Sequence, residues 1–276
     1  MYAAYGKGLA GIVNDHSPRL RARVLRTDGS VSNLRRLAAG QAEVAFTLAD
    51  SAAEALRGTG HFSRRVPIAA VARLYDNYVQ LIVRDGSRMD RVEHLAGRKI
   101  SIGAPGSGTS VIAERVLRLA HLRGSRAPRR RALDVDRSAA ALASGEIDAF
   151  FWSGGLPTPA IDRLRRAVPI KLIDMGGVAA RLNREYGDLY TQTRIPKTAY
   201  GPAGAVTTVS VANFLVVRSD LDDETAYRLT RVLFERREEL EAAHQEAKRL
   251  NSRAAIATYP LMLHRGAKRW YQDERR

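Results

Sequence analysis

The chain has no cysteine. That excludes structural disulfides, thiolate catalysis and zinc–thiolate centres, but it leaves the compartment open. Histidine is scarce as well. His16, His61, His94, His121, His244 and His264 are scattered, and none forms an H-x-x-x-H or H-E-x-x-H pair, so no metal or other cofactor is expected. No apolar run reaches the roughly 18 residues that a membrane-spanning helix needs. Acidic residues are outnumbered, 29 against 45 Lys and Arg, for a net charge of +16. A field of that sign raises the local concentration of anions. Aromatics are few and are not interleaved with the dispersed arginines. No nucleic-acid recognition motif is present, so nucleic acid is not an expected partner. Arg35-Arg36 and Arg129-Arg130-Arg131 read as solvated helix faces or loops. Met1-Tyr-Ala-Ala-Tyr-Gly-Lys-Gly has no charged stretch followed by an apolar core, so it does not read as a signal peptide.

What is present is an ordinary globular composition, 45% hydrophobic and 27% charged over 276 residues. That length suits one large domain or two smaller ones. Segments of strand type alternate with segments of helix type. Arg21–Arg26, Glu43–Leu48, Ile68–Arg73, Tyr78–Arg84 and Lys99–Gly103 read as strands. Ser30–Ala39, Asp50–Leu56 and Val111–Leu122 read as helices, with a helical turn over Arg91–Ala96. Such alternation predicts α/β architecture with mostly parallel sheets covered by helices. Two stretches repeat one pattern of helix, glycine, acidic residue and apolar strand. One runs from Ser30 through Gly40 to Phe46, the other from Arg137 through Gly145 to Phe151. The glycine supplies the left-handed conformation that ends a helix, and the repeat suggests two similar lobes.

The most informative stretch is Ile100-Ser-Ile-Gly103-Ala-Pro-Gly106-Ser107-Gly108-Thr109-Ser110. It reads as a buried strand, a small-residue loop and a helix start. Free amide groups and a positive dipole end make such a place an anion site. The stretch nearly fits G-x-x-x-x-G-K-[ST], but Thr109 stands where the lysine belongs, which argues against nucleotide binding. Val111 stands where a dinucleotide fingerprint needs its third glycine. A helix cap with no ligand is the alternative. Similar small polar loops follow other strands, at Thr27-Asp28-Gly29-Ser30 and Ala49-Asp50-Ser51. Ligands collect outside the carboxyl ends of strands in open α/β sheets, so these residues are candidates to converge on one cleft. A third signature, Phe150-Phe-Trp152-Ser-Gly154-Gly155-Leu-Pro-Thr158-Pro, carries a tryptophan at a strand end. Beside it, paired glycines permit close backbone approach.

Thr27-Asp-Gly-Ser with Asn33-Leu34, Arg73-Leu-Tyr75-Asp-Asn77-Tyr, the Gly103–Thr109 loop and Phe151–Pro159 resemble, in order and spacing, the TAXI-type solute receptors of TRAP transporters. The tail matches too. Val209–Arg218 is a returning strand, His244 falls in a long helix, and Pro260-Leu-Met-Leu-His264 leads to Trp270-Tyr271. The resemblance implies a periplasmic, two-lobed binding protein of type II with a ligand cleft between the lobes. Residues 1–83 plus 213–276 would form the first lobe and 84–212 the second, with hinge strands near 78–84 and 209–218. It implies capture of a small carboxylate, an amino acid or dicarboxylate, for delivery to membrane permease subunits, with no chemistry. Ser107, Gly108, Thr109 and Ser110 would hold the carboxylate. Thr27, Ser30 and Ser51 would supply first-lobe contacts, and Tyr75 and Trp152 would flank the ligand, with Gly154, Gly155 and Thr158 beside them. Asp28 and Asp50 would bind an ammonium or cap helices. Members of this family open with a signal sequence, a strand and a glycine-rich loop. Here Met1-Tyr-Ala-Ala-Tyr resembles the helix after that loop, so the first strand is expected to be missing. Two other classes share the fold: enzymes of transferase or dehydratase type, and effector-sensing domains of regulators.

Overall fold

The computed structural model describes residues 2–275. The chain divides into two units, 1–75 with 212–276 and 76–211. Unit 1 begins with α1 (Tyr2–His16), α2 (Ser30–Ala38), β1 (Val44–Leu48), α3 (Ala49–Arg57) and the first half of β2 (Ile68–Arg84). Unit 2 takes the rest of β2, then β3 (Lys99–Ser101), α4 (Gly108–Leu119), β4 (Arg129–Arg131), α5 (Val135–Ser144), β5 (Ala149–Gly154) and α6 (Pro159–Ala167). It continues with β6 (Ile170–Leu172), α7 (Val178–Tyr186), β7 (Tyr190–Ile195), α8 (Lys197–Tyr200) and the first half of β8 (Val206–Arg218). The second half of β8 returns to unit 1, which ends with α9 (Asp223–Glu235), α10 (Arg237–Ala243), α11 (Ser252–Ala255) and α12 (Arg265–Asp273).

Strand order is β1-β8-β2-β5-β3-β4, with β6 added on β2 and β7 on β8. The sheet is open and mixed. The α/β alternation does give parallel pairs where helices intervene, at β3–β4 and β3–β5. The long strands β2 and β8 each pass from one unit to the other, and their neighbours β1, β5, β6 and β7 run antiparallel to them.

Sequence patterning explains the helices that matter for the site. In α4 one stripe is buried (Val111, Ile112, Val116), and the Ser107 hydroxyl accepts the Ser110 N–H at 3.2 Å to cap its start. In α5 the Asp134 carboxylate accepts the Arg137 N–H at 2.8 Å, and Gly145 at φ +79° ends the helix. Gly40, at φ +69°, follows α2 in the corresponding place. In α12, Gly266 lets the helix press onto α9, because an added Cβ there would lie 2.0 Å from the Asp223 carbonyl oxygen. The Phe234 and Trp270 rings stack at 4.8 Å across that contact. The unit 1 core gathers Tyr5, Leu9, Val71, Leu215, Leu233 and Trp270; the unit 2 core gathers Ile82, Leu142, Phe150, Ile161 and Ile195.

Four sequence expectations are corrected here. Arg21–Arg26 is not a strand. Arg21 and Arg23 are exposed and Ala22 and Val24 half-buried, as a strand would have it, but the Asn14 side chain takes both the N–H and the carbonyl of Ala22. The two strands expected over 68–84 are one, 17 residues long. Asp76 and Asn77 look like a break, but the strand runs through them. The long helix expected around His244 stops at Ala243; His244 is extended (φ −154°), and its Nδ1 accepts the Glu246 N–H at 3.2 Å. Arg129-Arg130-Arg131 forms strand β4 at the end of the strand order rather than a helix face or loop.

Candidate functional site

In unit 2 the loop between β3 and α4 turns on Gly103 at φ +92°. A Cβ there would meet Thr109 Cβ at 2.7 Å and the Ser107 hydroxyl at 3.0 Å, so only glycine lets Thr109 close over the loop. The expected residues Ser107, Gly108, Thr109 and Ser110 do come together at the start of α4, all of them buried. Their side chains are engaged. The Ser107 hydroxyl donates to the Ala104 carbonyl at 2.7 Å and accepts from Ser110, while the Ser110 hydroxyl donates to the Ser107 carbonyl at 2.9 Å. Thr109 Oγ1 accepts the Ser153 N–H at 3.2 Å and so ties α4 to the end of β5.

Three donors are left at this point. The N–H groups of Gly108 and Thr109 have no acceptor among the described residues. The Ser153 hydroxyl is buried, its residue 6% exposed, and it too lacks a hydrogen-bond partner. A buried hydroxyl without a partner is a costly arrangement. The Thr109–Ser153 hydrogen bond brings Ser153 to the start of α4, and open amides at a helix N-terminus favour an anion. The Asn77 amide holds the Ser153 carbonyl at 3.2 Å, which fixes the β5 end opposite β2.

Trp152, Gly154, Gly155 and Thr158 form a closed loop of their own. The indole N–H donates to Thr158 Oγ1 at 2.9 Å, that hydroxyl donates to the Gly155 carbonyl at 2.8 Å, and the Thr158 N–H donates to the Tyr200 hydroxyl at 2.8 Å. A Cβ at Gly154 would lie 2.4 Å from the Trp152 indole nitrogen, which accounts for one glycine of the pair. Burial raises the Tyr200 phenol above its ordinary pKa, partly offset by these Thr158 bonds and by Gln80. The Trp152 polar edge is thus engaged inside the loop.

Unit 1 holds a second polar group. The Ser30 hydroxyl accepts the Leu48 N–H at 3.1 Å, and the Tyr2 hydroxyl lies 3.4 Å from it. Tyr2 donates to Asn213 Oδ1 at 2.5 Å, and the Asn213 amide donates to the Tyr75 carbonyl at 3.3 Å. Burial raises the Tyr2 phenol, Ser30 works against that, and the nearby Asp50 charge adds to it. Asp50 and Ser51 are fully buried; Asp50 Oδ1 accepts the N–H of Ser51 at 2.6 Å in the first turn of α3, where the helix dipole favours a carboxylate. Thr27 donates to Asn33 Oδ1 at 2.5 Å, and Asp28 is exposed. Tyr75 is placed differently from the expectation. Its ring is 3% exposed and stacks on Tyr5 at 5.8 Å inside the unit 1 core, with His244 at 6.5 Å.

Sequence reasoning missed Ser153, Asn77, Asn213, Tyr2 and Tyr200. The available signal was polarity in apolar strands: Asn77 and Asn213 each interrupt a buried run, and a buried strand tolerates an amide only where it has work to do.

Two α/β units sharing two long strands, with a glycine-rich loop opening a helix, define the architecture of type II periplasmic solute-binding proteins. The solved structures agree at the level of fold. The periplasmic aliphatic sulphonate-binding protein SsuA of Escherichia coli matches with TM-score 0.54 at 15% identity, over 98% of this chain and 80% of that one. A binding-protein component of a phosphonate ABC transporter from Pseudomonas aeruginosa matches with TM-score 0.54 at 13% identity, over 89% and 72%. A Xanthomonas citri protein, solved with a chloride ion, matches with TM-score 0.57 at 12% identity, over 98% and 92%. The chain belongs to the NMT1-like family, whose model matches residues 1–274.

Proposed function

We propose that this protein is an extracytoplasmic solute receptor that captures a small carboxylate reversibly, without chemistry, and delivers it to a membrane permease. The observation that carries the reading is the α4 donor set, the open N–H groups of Gly108 and Thr109 beside the unpartnered Ser153 hydroxyl. Amide and hydroxyl donors at a helix N-terminus stabilise one carboxylate without a full counter-charge. The net charge of +16 draws anions toward the molecule. A permease of the TRAP type, a TAXI-like role and a periplasmic location are the finer readings, supported by the motif order along the chain. The structural neighbours named above carry sulphonate and phosphonate names, and those anions belong in the test as competitors.

The test is thermal unfolding with a panel of amino acids, dicarboxylates, sulphonates and phosphonates. A ligand at a hundred times its Kd adds about 2.7 kcal/mol, which raises Tm by about 5 °C or more for a chain of this size. Gly108→Pro removes one open N–H at the first helical position, where proline is tolerated, and Ser153→Ala removes the free hydroxyl. Both variants should keep their unliganded Tm and lose about tenfold or more in affinity. A cooperative transition unmoved by every carboxylate, or a shift that both variants retain, would overturn the reading.

A further inference from the structure

The net positive charge is not spread evenly over unit 2. At the end of the strand order, β4 carries Arg129 and Arg130. The turn before it carries Arg123 and Arg126, and β3 beside it begins with Lys99, in register with Arg129 and preceded by Arg98. All six side chains are exposed. None of them has a carboxylate partner among the described residues. The acidic groups nearby are engaged: Glu146 pairs with Arg131, and Asp148 accepts the Lys99 main-chain N–H at 2.8 Å. Guarding a sheet edge against pairing explains charges on β4 itself. It does not explain Arg98, Arg123 and Arg126, which lie outside the strand.

We infer that this edge is an adsorption surface for the anionic headgroups of a lipid bilayer. Clustered, unpaired cations are attracted to such a surface through its diffuse field, with no pocket required. The composition of the patch decides between partners. It has no aromatic ring on which a nucleic-acid base could stack. Among the described residues the exposed large apolar side chains are Leu25, Val44, Tyr259 and Met262, none of them here, so the patch has no anchor of the kind that protein interfaces are built around. Six cations and no apolar centre suit a fluid, delocalised plane of negative charge. Adsorption of this kind would hold the receptor within reach of a membrane without inserting it. The inference does not depend on the ligand reading.

The experiment is co-sedimentation of the full chain with vesicles of phosphatidylglycerol mixed with phosphatidylcholine, and with pure phosphatidylcholine, at low and high salt. The protein should pellet only with the anionic vesicles and should be released by salt, since screening shortens the reach of the patch. Joint replacement of Arg123, Arg126, Arg129 and Arg130 by glutamine should weaken binding by at least about tenfold. A matched variant replaces Arg19, Arg21, Arg23 and Arg26 of unit 1 by glutamine, removing the same charge from another place, and should lose about threefold or less. Unchanged Tm in both variants shows that folding is intact. Failure of the wild-type chain to bind anionic vesicles, or equal losses in the two variants, would overturn the inference. So would tighter capture by a polyglutamate peptide than by vesicles, which would reassign the patch to an acidic protein.

Discussion

Thr109 accepts the Ser153 main-chain N–H through its side-chain oxygen at 3.2 Å, and the two residues stand in contrast. The Thr109 hydroxyl satisfies a buried donor, whereas the Ser153 hydroxyl, equally buried, has no hydrogen-bond partner among the described residues. One of these groups ties α4 to the end of β5, and the other makes no hydrogen bond among the described residues.

Substitution separates the two roles. Thr109→Val leaves the Ser153 N–H buried without an acceptor and should cost about 1–3 kcal/mol, read as a lower urea midpoint with an unchanged slope. Ser153→Ala removes no internal bond and should change stability by less than about 0.5 kcal/mol. A large loss in Ser153→Ala would show that its hydroxyl has a structural partner after all.

The same logic applies to tyrosines in unit 1. Tyr75 is buried, stacked on Tyr5, and its hydroxyl has no hydrogen-bond partner among the described residues. Tyr271 is buried and donates to the Val71 carbonyl at 3.1 Å. Tyr75→Phe should be neutral or slightly stabilising, because it removes an unpaired polar atom, while Tyr271→Phe should cost about 1 kcal/mol. Thermal melts of both variants make the comparison. Equal losses would mean that Tyr75 contributes through a bond that the geometry does not show.

Much of this architecture is legible in the residues. The Gly103–Ser110 loop announces a strand, a tight turn and a capped helix, and the helix–Gly–strand repeat at Gly40 and Gly145 marks matching places in the two units. What is not legible depends on contacts distant in sequence. Asn14 takes the backbone groups of Ala22, so a stretch with strand alternation forms no ladder. Asp76 and Asn77 carry turn propensity, yet pairing with β5 begins at Tyr78 and the strand runs through them. At the site, the sequence indicates small hydroxyls at the helix start. Only the fold shows that Ser107 and Ser110 bond each other's main chain and that the free donors are amides and Ser153.

Gly103 carries a steric prediction. Its φ of +92° disfavours any side chain, and the methyl of an alanine would meet Thr109 at 2.7 Å. The neighbour is a β-branched side chain with its oxygen already bonded to Ser153, so it cannot simply rotate away. Gly103→Ala should therefore lose about 2 kcal/mol or more, the sum of backbone strain and the clash. Gly86→Ala is the control. Gly86 also has positive φ (+78°), but nothing lies within 4 Å of an added Cβ, so it should show the backbone cost alone, about 1 kcal/mol. Equal losses would show that the loop relaxes around the methyl.

His244 gives the molecule a predictable response to acid. Its imidazole pKa is lowered from 6.5, because burial disfavours the charged ring. Its Nδ1 accepts the Glu246 N–H, a bond that protonation there would break. The unfolded chain therefore binds this proton at a higher pH than the folded one. The stability that the neutral ring contributes is complete above pH 6.5 and is lost as pH falls from there toward the folded-state pKa. Tm measured from about pH 7 down to about pH 5 should fall in the wild-type protein and fall less steeply in His244→Asn, whose amide oxygen can accept the same N–H without titrating. Parallel slopes in the two proteins would assign the acid sensitivity to other groups.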